Sequence, residues 1–276
     1  MKKYYVSPLW ENDINSWKIA LRAAGRTPQT IETRCEHLRR FARQIGAPNA
    51  GMVTRARLID WVGAHDWAPE TRRSMYASLK GFYGWALATD RVGDDITDCL
   101  PSVRAGIPAP RPADELTYKT ALAKADQRTR VILRLAAEAG LRRAEISQIH
   151  ANDFSPDLVG TSLKVHGKGM KVRFIPLTDS LAREVQAAFS PSGWLLPSLH
   201  GGHVTARWVG RLAARVLPAP FTLHTLRHRF ATQVYEATSD LLTVQKLLGH
   251  SSVATTQRYV AVDRERMRAA VAAAAL

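Results

Sequence analysis

Four prolines, Pro101, Pro108, Pro110 and Pro112, interrupt the chain at one place. Each fixes φ and lacks a backbone N–H, so a cluster of them can enter neither a helix interior nor a central strand. The surrounding stretch, Asp90 to Asp114, has no helical period and reads as an extended, semi-rigid connector. A chain of 276 residues is long enough for two hydrophobic cores. The interruption divides it into residues 1–100 and 113–276, with a linker over 101–112.

The first part is a succession of amphipathic helices. Asp13 to Ala24 puts Ile14, Trp17, Leu21 and Ala24 on one stripe and stops at Gly25. Thr27-Pro28 opens a second helix, with Ile31, Cys35, Leu38, Phe41 and Ile45 inside and an end at Gly46. A third runs from about Thr54 to His65 on Leu58, Ile59 and Val62, and a fourth from Pro69 to Thr89 on Met75, Leu79, Phe82, Tyr83 and Ala86. An aromatic stripe at helical spacing reads as core rather than as a base-stacking surface. The other faces carry Arg34, Arg39, Arg40 and Arg43 on the second helix and Arg72, Arg73 and Lys80 on the fourth.

Beyond the linker, helices are expected over Leu116–Ala125, over Thr129–Ala139 and briefly after Gly140. Alternation with turn signals follows: Asn152–Leu158, Ser162–Val165, the turn from His166 to Gly169, and Lys171–Pro176. Further helices are expected at Asp179–Phe189, Val204–Val216, His224–Ala237, Leu241–Leu248, Val253–Tyr259 and Asp263–Ala274. The fold class is therefore mainly α with one small antiparallel sheet.

Charge narrows the partner. The net charge is +15, with 16 basic against 11 acidic residues up to Ala105 and 23 against 13 beyond. Both parts are basic, which favours a polyanion, and with no amphipathic basic tail to suggest a membrane that polyanion is nucleic acid. No run approaches the ~20 apolar residues of a membrane span, and MKKYYVSPLW lacks the apolar core of a signal peptide. Cys35 and Cys99 lie far apart, without metal-ligand spacing, and read as buried thiols of a reducing compartment. A cytoplasmic protein is expected.

The densest chemistry lies between Phe221 and Tyr259, which holds His224, Arg227, His228, His250 and Tyr259. His224 and Arg227 are three apart and share one helical face. Gly249 suits a helix C-terminus and Ser251 or Ser252 an N-cap, which sets His250 on a tight bend. A second cluster, AGLRRAEISQI, carries Arg142 and Glu145, and a third, HGKGMKVRFIPL, carries Lys168 in a hairpin turn. Two arginines suit the non-bridging oxygens of a phosphodiester, because their planar forks make charge-assisted bidentate bonds. A phenol with a reference pKa near ~10 needs a base or cationic surround to act as a nucleophile, and a lysine or imidazole can protonate the leaving oxygen. No clustered carboxylates, HExxH or P-loop occur. The residue set suits transesterification on a phosphodiester without metal or cofactor.

These motifs resemble the tyrosine recombinases, the phage integrase and Xer-type family: Gly-Leu-Arg-x-x-Glu, then Gly-Lys-Gly, H-x-x-R, L-L-G-H-S-S, and Tyr nine residues after the His. They lie in the family's order over roughly Leu135 to Val260. The resemblance implies a helical core-binding domain and an α/β catalytic domain that clamp duplex DNA. It implies Tyr259 as the nucleophile forming a 3′-phosphotyrosine, Arg142 and Arg227 on the phosphate and Lys168 as general acid. His224 would be base or proton relay and His250 a donor to the phosphate. Glu145 braces the site and His228 is structural beside Arg227. The basic residues Arg34, Arg39, Arg40, Arg43, Arg72, Arg73 and Lys80 become candidate DNA contacts. A monomer in solution, a tetramer on paired sites joined through the C-terminal helix, and an excision or directionality factor are the further partners implied.

The closing VDRERMRAAVAAAAL departs from the R-L-x-x-x-H-P-R-A type of ending of Xer proteins, so an integrase of a phage or mobile element is expected over a dimer-resolving Xer protein. With seven to twelve residues before the first helix, an arm-binding domain of the phage type is expected to be absent. A type IB topoisomerase would share the chemistry but relax supercoils without synapsis. A binding-only regulator would need decayed motifs, whereas all six catalytic positions hold competent residues.

Overall fold

The computed structural model describes residues 5–104, 111–157, 160–167 and 171–249, together with 268 and 272. The chain divides into two compact units, Met1–Ile107 and Pro108–Leu276, so the division falls within the proline-rich stretch.

The first unit holds α1 (Pro8–Ala23), α2 (Pro28–Ile45), α3 (Arg55–Gly63) and α4 (Pro69–Ala88). The first helix starts five residues earlier than its apolar stripe suggested. Ser7 caps it, its side chain accepting from the Trp10 amide, and Pro8 follows in the first turn. Trp10 is therefore core: fully buried, with its indole N–H donating to the Ala47 carbonyl at 2.9 Å. Its ring meets Phe41 edge-on at 5.8 Å, while Trp17 meets Phe82 at 5.5 Å and Phe41 meets Trp61 at 4.8 Å. The stripe of α4, Met75, Leu79, Phe82, Tyr83 and Ala86, is buried throughout, as expected of core. Cys35 is buried, but Cys99 is half-buried, with its thiol on the Ile96 carbonyl at 3.0 Å.

The basic residues of this unit differ in availability. Arg39 is bound within the fold, paired to Glu11 and Glu36, each at 2.9 Å. Arg73 pairs with Glu70 one turn back at 3.0 Å, and Arg40 lies over Trp67 at 5.5 Å. Arg72 donates to the His65 carbonyl and Lys80 to that of Leu100. Arg34 and Arg43 are half-buried on α2.

The second unit starts with α5 (Glu115–Lys124), α6 (Gln127–Glu138) and the short α7 (Arg143–Ser147). Three strands follow, β1 (Phe154–Asp157), β2 (Gly160–His166) and β3 (Val172–Leu177), antiparallel in the order β1-β2-β3. The expected first strand is shorter than its sequence pattern. His150 accepts from the Asn152 amide, and Asp153 accepts from the His150 amide at 2.9 Å, which winds Ala151–Asp153 into a 3-10 turn. The unit closes with α8 (Asp179–Ala187), α9 (Ala206–Ala214), α10 (Leu223–Thr238) and α11 (Leu241–Leu248). Helix α6 is the hub: Val131, Ile132, Leu133, Leu135, Ala136 and Ala137 are buried against α10 and neighbouring helices. No helix among the described residues is long and apolar enough to cross a membrane. The helices expected over Val253–Tyr259 and Asp263–Ala274 lie outside the described residues, except that Arg268 and Ala272 are helical.

Candidate active site

Four segments distant in sequence meet around the Glu145 carboxylate and the arginines that bind it. Gly140, at φ +64°, ends α6 in a left-handed turn tight against α10, where a Cβ would come within 2.4 Å of Phe230. The turn leaves Arg142 at the N-cap of α7, so its side chain departs from the helix start rather than lying along the helix. Glu145, in the first turn of α7, reaches back to the Arg142 amide at 2.8 Å and takes the Arg142 guanidinium, also at 2.8 Å. The carboxylate side chain is 5% exposed, and that of Arg142 42%.

Helix α10 supplies the second segment. Thr222 caps it, and His224 and Arg227 follow on one face. Arg227 is 1% exposed, lies 3.7 Å from Glu145 and donates to the carbonyls of Gly140 and Leu248, the latter at 2.7 Å. Helix α11 is the third. It stops at Gly249, φ +64°, and its last carbonyls lack partners within the helix. Leu247 accepts from Arg173 at 2.9 Å, and Leu248 accepts from Arg142 at 3.4 Å as well as from Arg227. Three guanidiniums thus face the negative end of α11.

Arg173 was not singled out in the sequence, although β3 gave a usable signal. Period-two alternation puts it on the same face as the buried Ile175 and Leu177, and an arginine facing inward requires a partner. That partner is Glu145, held through two parallel bonds of 2.9 Å each.

The electrostatics follow from this packing. Burial pushes the Glu145 carboxyl up, but the Arg173 hydrogen bonds and charge, with the Arg142 amide and Arg227, outweigh it, and the group lies below its ordinary range. His224 is lowered by burial and then by Arg227 and Arg142. His228, edge-on to His224 with ring centroids 4.4 Å apart, falls to about 4 through burial, His224 and Arg227. Both imidazoles are therefore neutral at pH 7, and neutral His224 can accept a proton. Arg142, His224 and Arg227 share the wall of a cavity of about 640 Å³ with Arg143 and, from α9, Arg207 and Arg211. Five arginines around one cavity make a receptor for an anion with several oxygens.

Of the residues expected to act together, Arg142, Glu145, His224, Arg227 and His228 converge. Lys168, His250 and Tyr259 lie outside the described residues. The strands flanking the Lys168 turn are described: His166, at the end of β2, binds Asp153 at 2.8 Å, and Val172 opens β3 opposite it.

The phage integrase family model matches residues 113–266. Tyrosine recombinase XerD of Caulobacter vibrioides is 32% identical, over 75% of this chain and 75% of its own length. Tyrosine recombinase XerC of Nitrobacter winogradskyi is 29% identical over 91% of this chain and 89% of its own. Among solved structures, a lambda integrase dimer bound to a COC′ core site superposes with a TM-score of 0.71 at 18% identity, covering 90% of this chain and 94% of that one, which is a likeness of fold. The arginine-rich cavity and the motif order agree with these likenesses: the chain belongs to the phage integrase family and is a site-specific tyrosine recombinase.

Proposed function

We propose that the chain cuts and rejoins duplex DNA at a specific sequence through a covalent 3′-phosphotyrosine at Tyr259. The reading is carried by the convergence of Arg142, Arg227 and neutral His224 on one cationic cavity, at the end of the helix that leads into His250 and Tyr259. The Tyr259 oxygen attacks phosphorus, its proton passing to His224. The 5′ oxygen departs with a proton from Lys168, and reversal by a 5′-hydroxyl from another strand reseals the backbone. Arg142 and Arg227, with His250, hold the non-bridging oxygens as charge builds on them. The first helical unit is a second DNA-binding surface, with Arg34, Arg40, Arg43, Arg72, Arg73 and Lys80 as its candidate contacts; Arg39 is the weakest of the set because Glu11 and Glu36 hold it.

The biological reaction we propose is integration and excision of a mobile element, supported by the closing sequence VDRERMRAAVAAAAL. Dimer resolution is the second reading, favoured by the likeness to XerC and XerD over most of the chain. Sequencing the junctions formed on candidate attachment sites distinguishes the two.

A nicked suicide duplex carrying the site tests the chemistry. Wild type is expected to leave a protein–DNA adduct that survives SDS. Tyr259→Phe is expected to bind the site but leave none, because only the hydroxyl is lost. An undiminished adduct from the phenylalanine variant rules out Tyr259 as the nucleophile.

A further inference from the structure

We propose that Arg173 is a positioning residue: by occupying Glu145 it leaves Arg142 available to the scissile phosphate. The inference rests on the reading of Arg142 as a phosphate ligand. Every guanidinium nitrogen of Arg173 is used inside the fold, Nη1 and Nη2 on the two oxygens of Glu145 and Nε on the Leu247 carbonyl, each at 2.9 Å. Its side chain is 13% exposed. One N–H on each nitrogen, three of the five the group carries, is thus committed to the fold, and Arg173 is not among the described residues that line the arginine-rich cavity.

Arg142 shows the complementary pattern. It meets Glu145 through Nη1 alone, and among the described residues its Nε and Nη2 make no hydrogen bond. It is also the most exposed of the three arginines around that carboxylate. A buried carboxylate needs a well-matched partner, and a bidentate fork is the best one. Were Arg173 absent, Glu145 would draw that fork from Arg142, turning the phosphate ligand into an internal ion pair. The close fit of Arg173 against the α11 terminus points the same way: a Cβ at Gly249 would sit 3.0 Å from its Cδ and Nη1. The arginine thus has one fixed seat, between Glu145 and the Leu247 carbonyl.

The test uses the full-length protein and saturating suicide duplex, with site binding and thermal melting measured alongside single-turnover cleavage. Arg173→Gln is expected to cleave roughly 10²-fold more slowly, the scale of losing one donor to the transition state, with site affinity little changed. A brace that merely held α11 would give the same loss, so the discriminating variant is Arg173→Gln with Glu145→Gln. Removing the charge of the carboxylate releases Arg142, and the double variant is expected to recover at least about tenfold over Arg173→Gln. Should Arg173→Gln fail to fold, Arg173→Lys carries the test: its charge still neutralises Glu145, so it is expected to cleave faster than Arg142→Ala. Cleavage by Arg173→Gln near the wild-type rate, a folded double variant no faster than the single one, or Arg173→Lys as inactive as Arg142→Ala each overturns the proposal. Wild-type cleavage by Arg142→Ala itself would instead overturn the phosphate-ligand reading on which it rests.

Discussion

His228 sits edge-on to His224 and within the field of Arg227, and it carries a pH dependence of its own. Its pKa is about 4 in the folded chain, against an unfolded value of ~6.5. Between those values the unfolded chain binds a proton that the folded chain refuses. The stability tied to this residue is therefore fully present above ~6.5 and is lost as pH falls toward 4. His224, also lowered, acts with the same sign. His228→Asn is expected to flatten part of the slope: between pH 7.5 and pH 5 its urea midpoint falls less than that of wild type. Equal falls in the two proteins would place the acid sensitivity elsewhere.

At the scale of elements, the end of α11 carries the strongest constraint. Gly249 combines φ +64° with the contact to Arg173 that a Cβ would make at 3.0 Å. A side chain in the left-handed region costs about 1–2 kcal/mol before any clash, so Gly249→Ala is expected to lower the denaturation midpoint and to reduce cleavage more than site binding. Gly63→Ala is the comparison: Gly63 lies within α3, has open space around it, and is expected to be neutral or to gain roughly 0.5–1 kcal/mol. Equal effects at the two glycines would remove the special role of the α11 terminus. Such elements were largely legible in the sequence. Leu241–Leu248 with its glycine stop has the expected bounds, and the stripes of α2 and α4 are core. Two features were less so. Capping by Ser7 and Pro8 extends α1 beyond its apolar stripe, and local bonds at His150 and Asp153 turn an expected strand start into a 3-10 turn. At the site, the pairing of Arg142 with Glu145 follows local spacing of three, but the grip of Arg173 spans 28 residues to Glu145 and 74 to Leu247. Only strand parity hinted at it.

Across the whole molecule, the prediction concerns the end of the chain. The sequence pattern of Asp263 to Leu276, with Met267, Ala270, Val271 and Ala274, predicts a short apolar face, and isolated helices shorter than ~12–15 residues seldom persist in water. The family resemblance expects this segment to dock on a neighbouring protomer. Deleting residues from 264 onward is expected to leave single-site binding intact and to alter cleavage or synapsis of paired sites; recombination at wild-type yield would exclude the role. The meeting of Arg142, Arg173 and Arg227 at Glu145 and the α11 terminus has a further consequence at this scale. Each guanidinium is held by segments that adjoin only once the second unit has closed, from Gly140 to Leu248. A nascent, nicked or partly melted chain therefore keeps its basic charge but not this assembled cluster of arginines. In the proposed reaction, competence to cut would thus arrive only with the completed fold of the second unit.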